Sequence, residues 1–239
     1  LKYDFEKYIN NFKEIITDSW LTPRGIMFSE AFALYSVINE CKSRTILESG
    51  TAYGGSTEML ANLFPNLLLT SIDNYKVYPD SEEYVRNRML KYKNTKLLKG
   101  DSYHLLPQIL SKPFIKKTAI FIDGPKGKHA GEFAVFLLEN FKEKIDFIAV
   151  HDVKYDSDVA LMYKNTFTDI IPSNLIFTDE PDNYFSPFRR TIDDHMLSIN
   201  KKKFKPSKSS LDKDKSLGFL QNALEENPRG YGMIIIKPE

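Results

Sequence analysis

The stretch TILESGTAYGGST, Thr45 to Thr57, sets a carboxylate, Glu48, two positions before the first of three glycines and a hydroxyl, Ser56, directly after the last. Gly50, Gly54 and Gly55 allow a sharp turn and a close backbone approach to a ligand, and Ser56 opens a helix whose free N–H groups attract an anion. A pyrophosphate or an amino-acid carboxylate could be received there. Glu48 tilts the choice, because a carboxylate is unfavourable beside pyrophosphate and favourable beside an ammonium, so a zwitterion with a cationic sulfur fits better. Gly50, Ala52 and Gly55 also match a G-x-A-x-x-G dinucleotide fingerprint, which keeps an NAD-type dehydrogenase as an alternative.

Further polar residues recur where short apolar runs end: Asp73, Asp101, Asp123, and His151 with Asp152. In an open α/β sheet, ligands bind beyond the carboxyl ends of the strands, so these positions are the ones to watch. Asp73 lies 23 residues after Gly50, the placement of a ribose-diol acceptor in either cofactor class. A single carboxylate at such a point is often only a helix cap; recurrence at successive strand ends argues for a site.

The elements that would position them are legible from periodicity. TILES (45–49), LLLTSID (67–73), TKLLKG (95–100), AIFID (119–123), FIAVHD (147–152), NLIFTD (174–179) and GMIIIK (232–237) read as buried strands. Amphipathic stretches such as STEMLANLF and SEEYVRNRMLKY lie between the early ones. Strand alternating with helix predicts an α/β fold with a doubly wound, mostly parallel seven-stranded Rossmann-like sheet, its last strand antiparallel. SEAFALYSVINECK before the first strand reads as a packing helix with Ser29 as N-cap. The expected organisation is one domain: an N-terminal helical cap over 1–44, a core over 45–185 and 223–239, and a lysine- and serine-rich insertion or lid over 186–222 with little to bury.

Composition narrows the function classes. The 239 residues carry 33 Lys+Arg against 32 Asp+Glu, so there is no bulk basic field to hold nucleic acid or anionic lipid. Cys41 is the only cysteine, which rules out an internal disulfide framework or a cysteine-rich zinc site. No run approaches a membrane span, and the opening LKYDFEKYIN lacks the apolar core of a signal peptide, so a cytoplasmic protein is expected. The expected partner is a small-molecule substrate, with neither nucleic acid nor membrane; a homo-oligomer is compatible with the sequence.

Taken in order, ILESGTAYGGST, SIDNY, LLKGDSYHLLPQI, FIDGPKG and FIAVHD resemble the motifs of class I S-adenosylmethionine-dependent methyltransferases over roughly residues 45 to 152. Within that superfamily they are most similar to small-molecule O-methyltransferases of the catechol type and of the macrolide-sugar and cephalosporin-hydroxylase-like group. The resemblance implies S-adenosylmethionine as cofactor. Glu48 and Gly50 would lie against its methionine part with Thr51, Tyr53 and Gly54 in the same loop, and Ser56 would receive its carboxylate. Asp73 and Asn74 would face the ribose, Asp101 and Ser102 the adenine, and Asp123 would complete the cofactor set. Asp101 and Ser102 equally read as a helix N-cap.

The resemblance also implies a divalent metal, magnesium or manganese, held by Asp123, His151 and Asp152, with Lys126 as the base toward a substrate hydroxyl. The sequence departs from the catechol pattern at His151, where that family has a carboxylate. Imidazole suits manganese, iron or zinc better than magnesium. His151 could instead serve as general base. The reading is an S-adenosylmethionine-dependent O-methyltransferase acting on a sugar-derived or phenolic hydroxyl, with a catalytically inactive binding protein of the same fold as a further alternative. Trp20, Met27, Tyr184, Phe185, Phe188 and Arg189 read equally as substrate wall or as core.

Overall fold

Seven strands form where the apolar runs predict them, to within two residues at each end: β1 (Thr45–Ser49), β2 (Leu68–Asp73), β3 (Thr95–Lys99), β4 (Thr118–Ile122), β5 (Ile145–His151), β6 (Ser173–Phe177) and β7 (Met233–Pro238). The structure, a computed structural model, describes residues 3–19, 26–203 and 232–239. The strands make one sheet in the order β3-β2-β1-β4-β5-β7-β6. β1 to β5 run parallel, and β7 enters between β5 and β6 antiparallel to both. Strand order reverses between β1 and β4, the crevice where open α/β sheets bind ligands. The inserted β7 departs from the 3-2-1-4-5-6 order of dinucleotide-binding sheets, which counts against the dehydrogenase alternative.

Side-chain alternation divides the sheet into two buried faces. Ile46, Leu69, Ala119, Phe121, Phe147 and Ala149 belong to the core beneath α1 (Glu6–Ser19), α2 (Phe28–Cys41) and α3 (Gly55–Leu63). Leu47, Ile72, Ile120, Ile122, Ile148 and Val150 belong to the core beneath α5 (Ser102–Leu110), α6 (Gly127–Phe141) and α7 (Asp158–Lys164). The shorter α4 (Ser81–Met89) buries Val85 and Met89. Parity matters for the site: Asp123 continues the phase of Phe121, and His151 that of Phe147 and Ala149. Both therefore face the side of the sheet that α2 covers.

Two expectations are corrected. Residues 186–203 are not a lid with little to bury; they form α8 (Ser186–Lys203), packed on α2 and α1. The signal is Phe185, Phe188 and Ile192 at i, i+3 and i+7, an apolar stripe that precedes the lysine-rich run from 201. Phe185 meets Phe5 edge to face at 4.8 Å and is buried with Ile192, so the stripe is core. At roughly 1.5–3 kcal/mol per buried large apolar side chain, it ties the N-terminal cap to the sheet domain. The rest of the predicted insertion, from 204 onward, lies outside the described residues, as does Trp20. Second, α2 begins at Phe28 with Met27 as N-cap, and Ser29 lies inside the helix. Among the described residues, no helix is long and apolar enough to cross a membrane.

Candidate active site

At the tip of β1 the chain turns toward α3 through left-handed backbone at Gly50 (φ 96°), Ala52 (φ 44°) and Gly54 (φ 74°). Gly50 is demanded by a protein contact: a Cβ there would sit 2.8 Å from the Gly124 nitrogen and 3.0 Å from the Asp123 carbonyl carbon. The tips of β1 and β4 are stitched at this point, where the N–H groups of Asp123 and Gly124 both donate to the Ser49 carbonyl (2.8 and 3.0 Å). The close approach expected of a ligand is made, at this glycine, by the β4 tip.

Asp73 organises the same loop. Its Oδ2 accepts the backbone N–H groups of Thr51 (2.9 Å) and Ala52 (2.8 Å), and its Oδ1 that of Tyr75 (2.7 Å). The carboxylate predicted to face a ribose is also the clamp that shapes the glycine turn. Thr51 is buried with its hydroxyl 2.6 Å from that of Ser71. The N–H of Gly54 donates to the Thr51 carbonyl at 2.7 Å, closing the turn. Tyr53 is half-buried, its ring 5.3 Å from that of Tyr78 and its carbonyl taking a hydrogen bond from Arg88. Asn74 is exposed and accepts the N–H of Lys76.

Glu48 does not stand where an external ammonium would meet it. Its side chain points under α3, accepting the hydroxyls of Ser56 and Thr57, and the residue is 0% exposed. Burial pushes its carboxyl up to about 7 against the pull of those hydroxyls. Ser56 likewise spends its hydroxyl on Glu48. The physical reason is parity, since Glu48 shares the Ile46 face of β1, onto which α3 packs. Asp101 caps α5 through the N–H of Tyr103 (2.9 Å), the cap reading of the Asp101-Ser102 pair, and Ser102 is the first residue of that helix.

The tips of β4 and β5 bring together Asp123, Lys126, His151 and Asp152. His151 Nδ1 lies 2.7 Å from Asp123 Oδ1 and 3.4 Å from Asp152 Oδ1. The Lys126 ammonium contacts Asp123 and sits 2.6 Å from Asp152 Oδ2. Asp152 holds a positive φ of 60°, unusual for a residue with a Cβ, so the surrounding chain imposes its orientation. The other ring nitrogen, His151 Nε2, lies 3.1 Å from Glu30 Oε2 on α2. Glu30 escaped sequence reasoning; the available signal was a lone carboxylate in the otherwise apolar start of α2.

Each charge in this cluster lies against one of opposite sign. Burial alone would lower the His151 pKa, but Glu30 and Asp123 on its two sides raise it to about 10, making the ring an imidazolium at neutral pH. Burial alone would raise the Asp123 carboxyl, yet His151 and Lys126 hold it below its usual range. Lys126, which burial would depress, is raised by Asp123 and Asp152. Neither expected base is free to accept a proton in this arrangement.

One donor atom from each of Asp123, His151 and Asp152 falls within 4.8 Å of the others, a mixed oxygen and nitrogen set that fits a divalent cation. Such an ion would compete with the Nδ1 proton and with the Lys126 ammonium, so its binding would release protons.

Solved methyltransferase structures share this fold at low sequence identity. An O-methyltransferase from Bacillus cereus in complex with S-adenosylhomocysteine shares it at TM-score 0.50 and 13% identity, over 100% of this chain and 92% of that one. A candidate O-methyltransferase from Klebsiella pneumoniae does so at TM-score 0.51 and 11% identity, over 98% and 89%. At these identities the likeness is one of fold. No family model matches the chain, and no curated protein matches it.

Proposed function

We propose that the chain is an S-adenosylmethionine-dependent O-methyltransferase acting on a hydroxyl of a small sugar-derived or phenolic molecule, with a divalent cation at Asp123, His151 and Asp152. The observation that carries the reading is the coexistence, at neighbouring strand tips, of a glycine turn clamped by Asp73 and a convergent Asp123–His151–Asp152 donor set. The cofactor would lie along the β1 and β2 tips, with the N-terminus of α3, just beyond the glycine turn, toward its carboxylate. Since Glu48 and Ser56 satisfy each other, their part is to hold that turn in shape.

Methyl transfer from a sulfonium is an in-line displacement, so the protein's task is to align the acceptor oxygen with the methyl carbon and to remove one proton. A bound divalent cation would supply a lowered pKa for the substrate hydroxyl. Lys126 is the group placed to take the proton, provided its ammonium is displaced from the two carboxylates that now hold it charged. Asp123 and Asp152 restrain Lys126 beside the acceptor site, and the buried His151 closes the floor.

Calorimetry tests the cofactor assignment: absence of S-adenosylhomocysteine binding at sub-millimolar concentration would sink it. Asp73→Ala should weaken that binding tenfold or more, since it removes a charged acceptor worth about 1.5–3 kcal/mol and frees the loop. Lys126→Ala should leave cofactor affinity within about twofold while cutting S-adenosylhomocysteine production from an acceptor panel by roughly 100-fold. Unchanged production would remove Lys126 from the mechanism.

A further inference from the structure

We propose that Glu30 is a positioning residue of the cation centre: it takes the Nε2–H of His151 and thereby turns the ring's Nδ1 toward Asp123 and Asp152. The inference rests on the cation reading above. It joins residues 121 positions apart, because Glu30 lies on the N-terminal cap outside the motif-bearing strands. Both side chains are only 3% exposed, so the contact is sealed from water. Glu30 is itself immobilised, its Oε2 accepting the Met27 N–H at 2.8 Å at the start of α2.

The ring has one sensible orientation. Rotating it by half a turn would place carbon where each nitrogen now stands, leaving the buried Glu30 and the half-buried Asp123 carboxylates facing C–H groups. With Nε2 committed to Glu30, the nitrogen that can turn its lone pair on a cation is Nδ1, and that is the one within reach of both aspartates. A carboxylate behind a ligating histidine fixes tautomer and orientation, and its loss commonly costs 10–100-fold in metal affinity. A nitrogen donor so fixed favours manganese or zinc over magnesium.

The test is Mn²⁺ titration followed by electron paramagnetic resonance, on wild type, Glu30→Gln and Glu30→Met, with S-adenosylhomocysteine affinity as the control for an intact fold. Glu30→Met keeps the length and removes the acceptor, so Mn²⁺ affinity should fall tenfold or more. Glu30→Gln keeps an amide oxygen for the ring and for Met27, and should restore most of that loss. A Glu30→Met protein that binds S-adenosylhomocysteine normally and Mn²⁺ within twofold of wild type overturns the inference and leaves the cation reading standing. Wild type that binds no Mn²⁺ at millimolar concentration overturns both, without touching the cofactor assignment. Should Glu30→Met fail to fold, ¹⁵N NMR of the Zn²⁺-loaded wild type decides: metal on Nδ1 with the proton on Nε2 is expected, and the opposite tautomer refutes the role.

Discussion

Gly50→Ala lowers the melting temperature by about 8–16 °C and takes cofactor binding with it, whereas Gly127→Ala costs about half as much. Both glycines have positive φ, 96° and 58°, so both substitutions strain the backbone. They differ in surroundings. Nothing lies within 4 Å of a Cβ at position 127, while one at position 50 meets the backbone of Asp123 and Gly124 at 2.8–3.0 Å. Strain of roughly 1–3 kcal/mol and overpacking of roughly 1–3 kcal/mol add to about 4 kcal/mol. At about 2–4 °C per kcal/mol for a domain of this size, that is the stated loss. Because the displaced atoms belong to the β4 tip, the shift also carries Asp123 away from His151. Thermal melts within a degree or two of each other for the two variants would show that the close approach of β1 and β4 is unimportant.

The metal-free protein loses stability steadily as pH rises from about 5 to 10. Glu48 and Asp193, the latter buried on α8, have folded-state pKa values raised by burial to about 7, so the native state binds more protons than the unfolded chain between their ordinary range and neutrality. His151, raised to about 10, extends the same sign from about 6.5 upward. Stability therefore falls with pH throughout that window, with full protection from His151 present below 6.5 and lost through 10. The carboxylates held low, Asp123 among them, act in the opposite sense only at acid pH, below the window; His195, pushed down by burial, does so just below 6.5, where Glu48 and Asp193 together outweigh it. His151 alone accounts for a loss on the order of a few kcal/mol. Differential scanning fluorimetry in chelator gives the slope, and ¹⁵N NMR of the imidazole gives its origin. A ring found neutral at pH 7.5 in the metal-free protein would refute the assignment.

The imidazolium also bears on function. With His151 and Lys126 both charged at neutral pH, the resting cluster sets two cations, His151 and Lys126, against the acidic groups Asp123, Asp152 and Glu30. A divalent cation entering there exchanges with a proton and loosens an ammonium, converting a stable ion network into a centre with a base. This is the arrangement expected if catalytic competence and cation binding are linked.

Much of the architecture was legible because strand signals are local. An apolar run bounded by turn residues reports its own burial, and all seven strands followed from that alone. The polar tips were legible for the same reason: Asp73, Asp123, His151 and Asp152 each end a run, and a parallel sheet gathers such ends on one edge. What local sequence does not carry is which face of an element a neighbour covers. Residue type alone sets Glu48 toward a ligand's ammonium; the packing of α3 on its face of β1 supplies Ser56 and Thr57 as partners. The charge of residues 186–203 suggests a solvated segment, while Phe188 and Ile192, with Phe185 just before the helix, make it a core helix.

The sequence by itself determined the alternation of strand and helix, the glycine turn after β1, and the kinds of chemical group available at each strand tip, since these rest on residue type and short-range spacing. Only the tertiary structure decided which of those groups meet. The pairing of Glu30 with His151 depends on α2 covering the face that Phe147 and Ala149 define, and the need for glycine at position 50 depends on the β4 tip lying 2.8 Å away. Neither contact leaves a trace in local composition, because each is made between segments that only packing brings together.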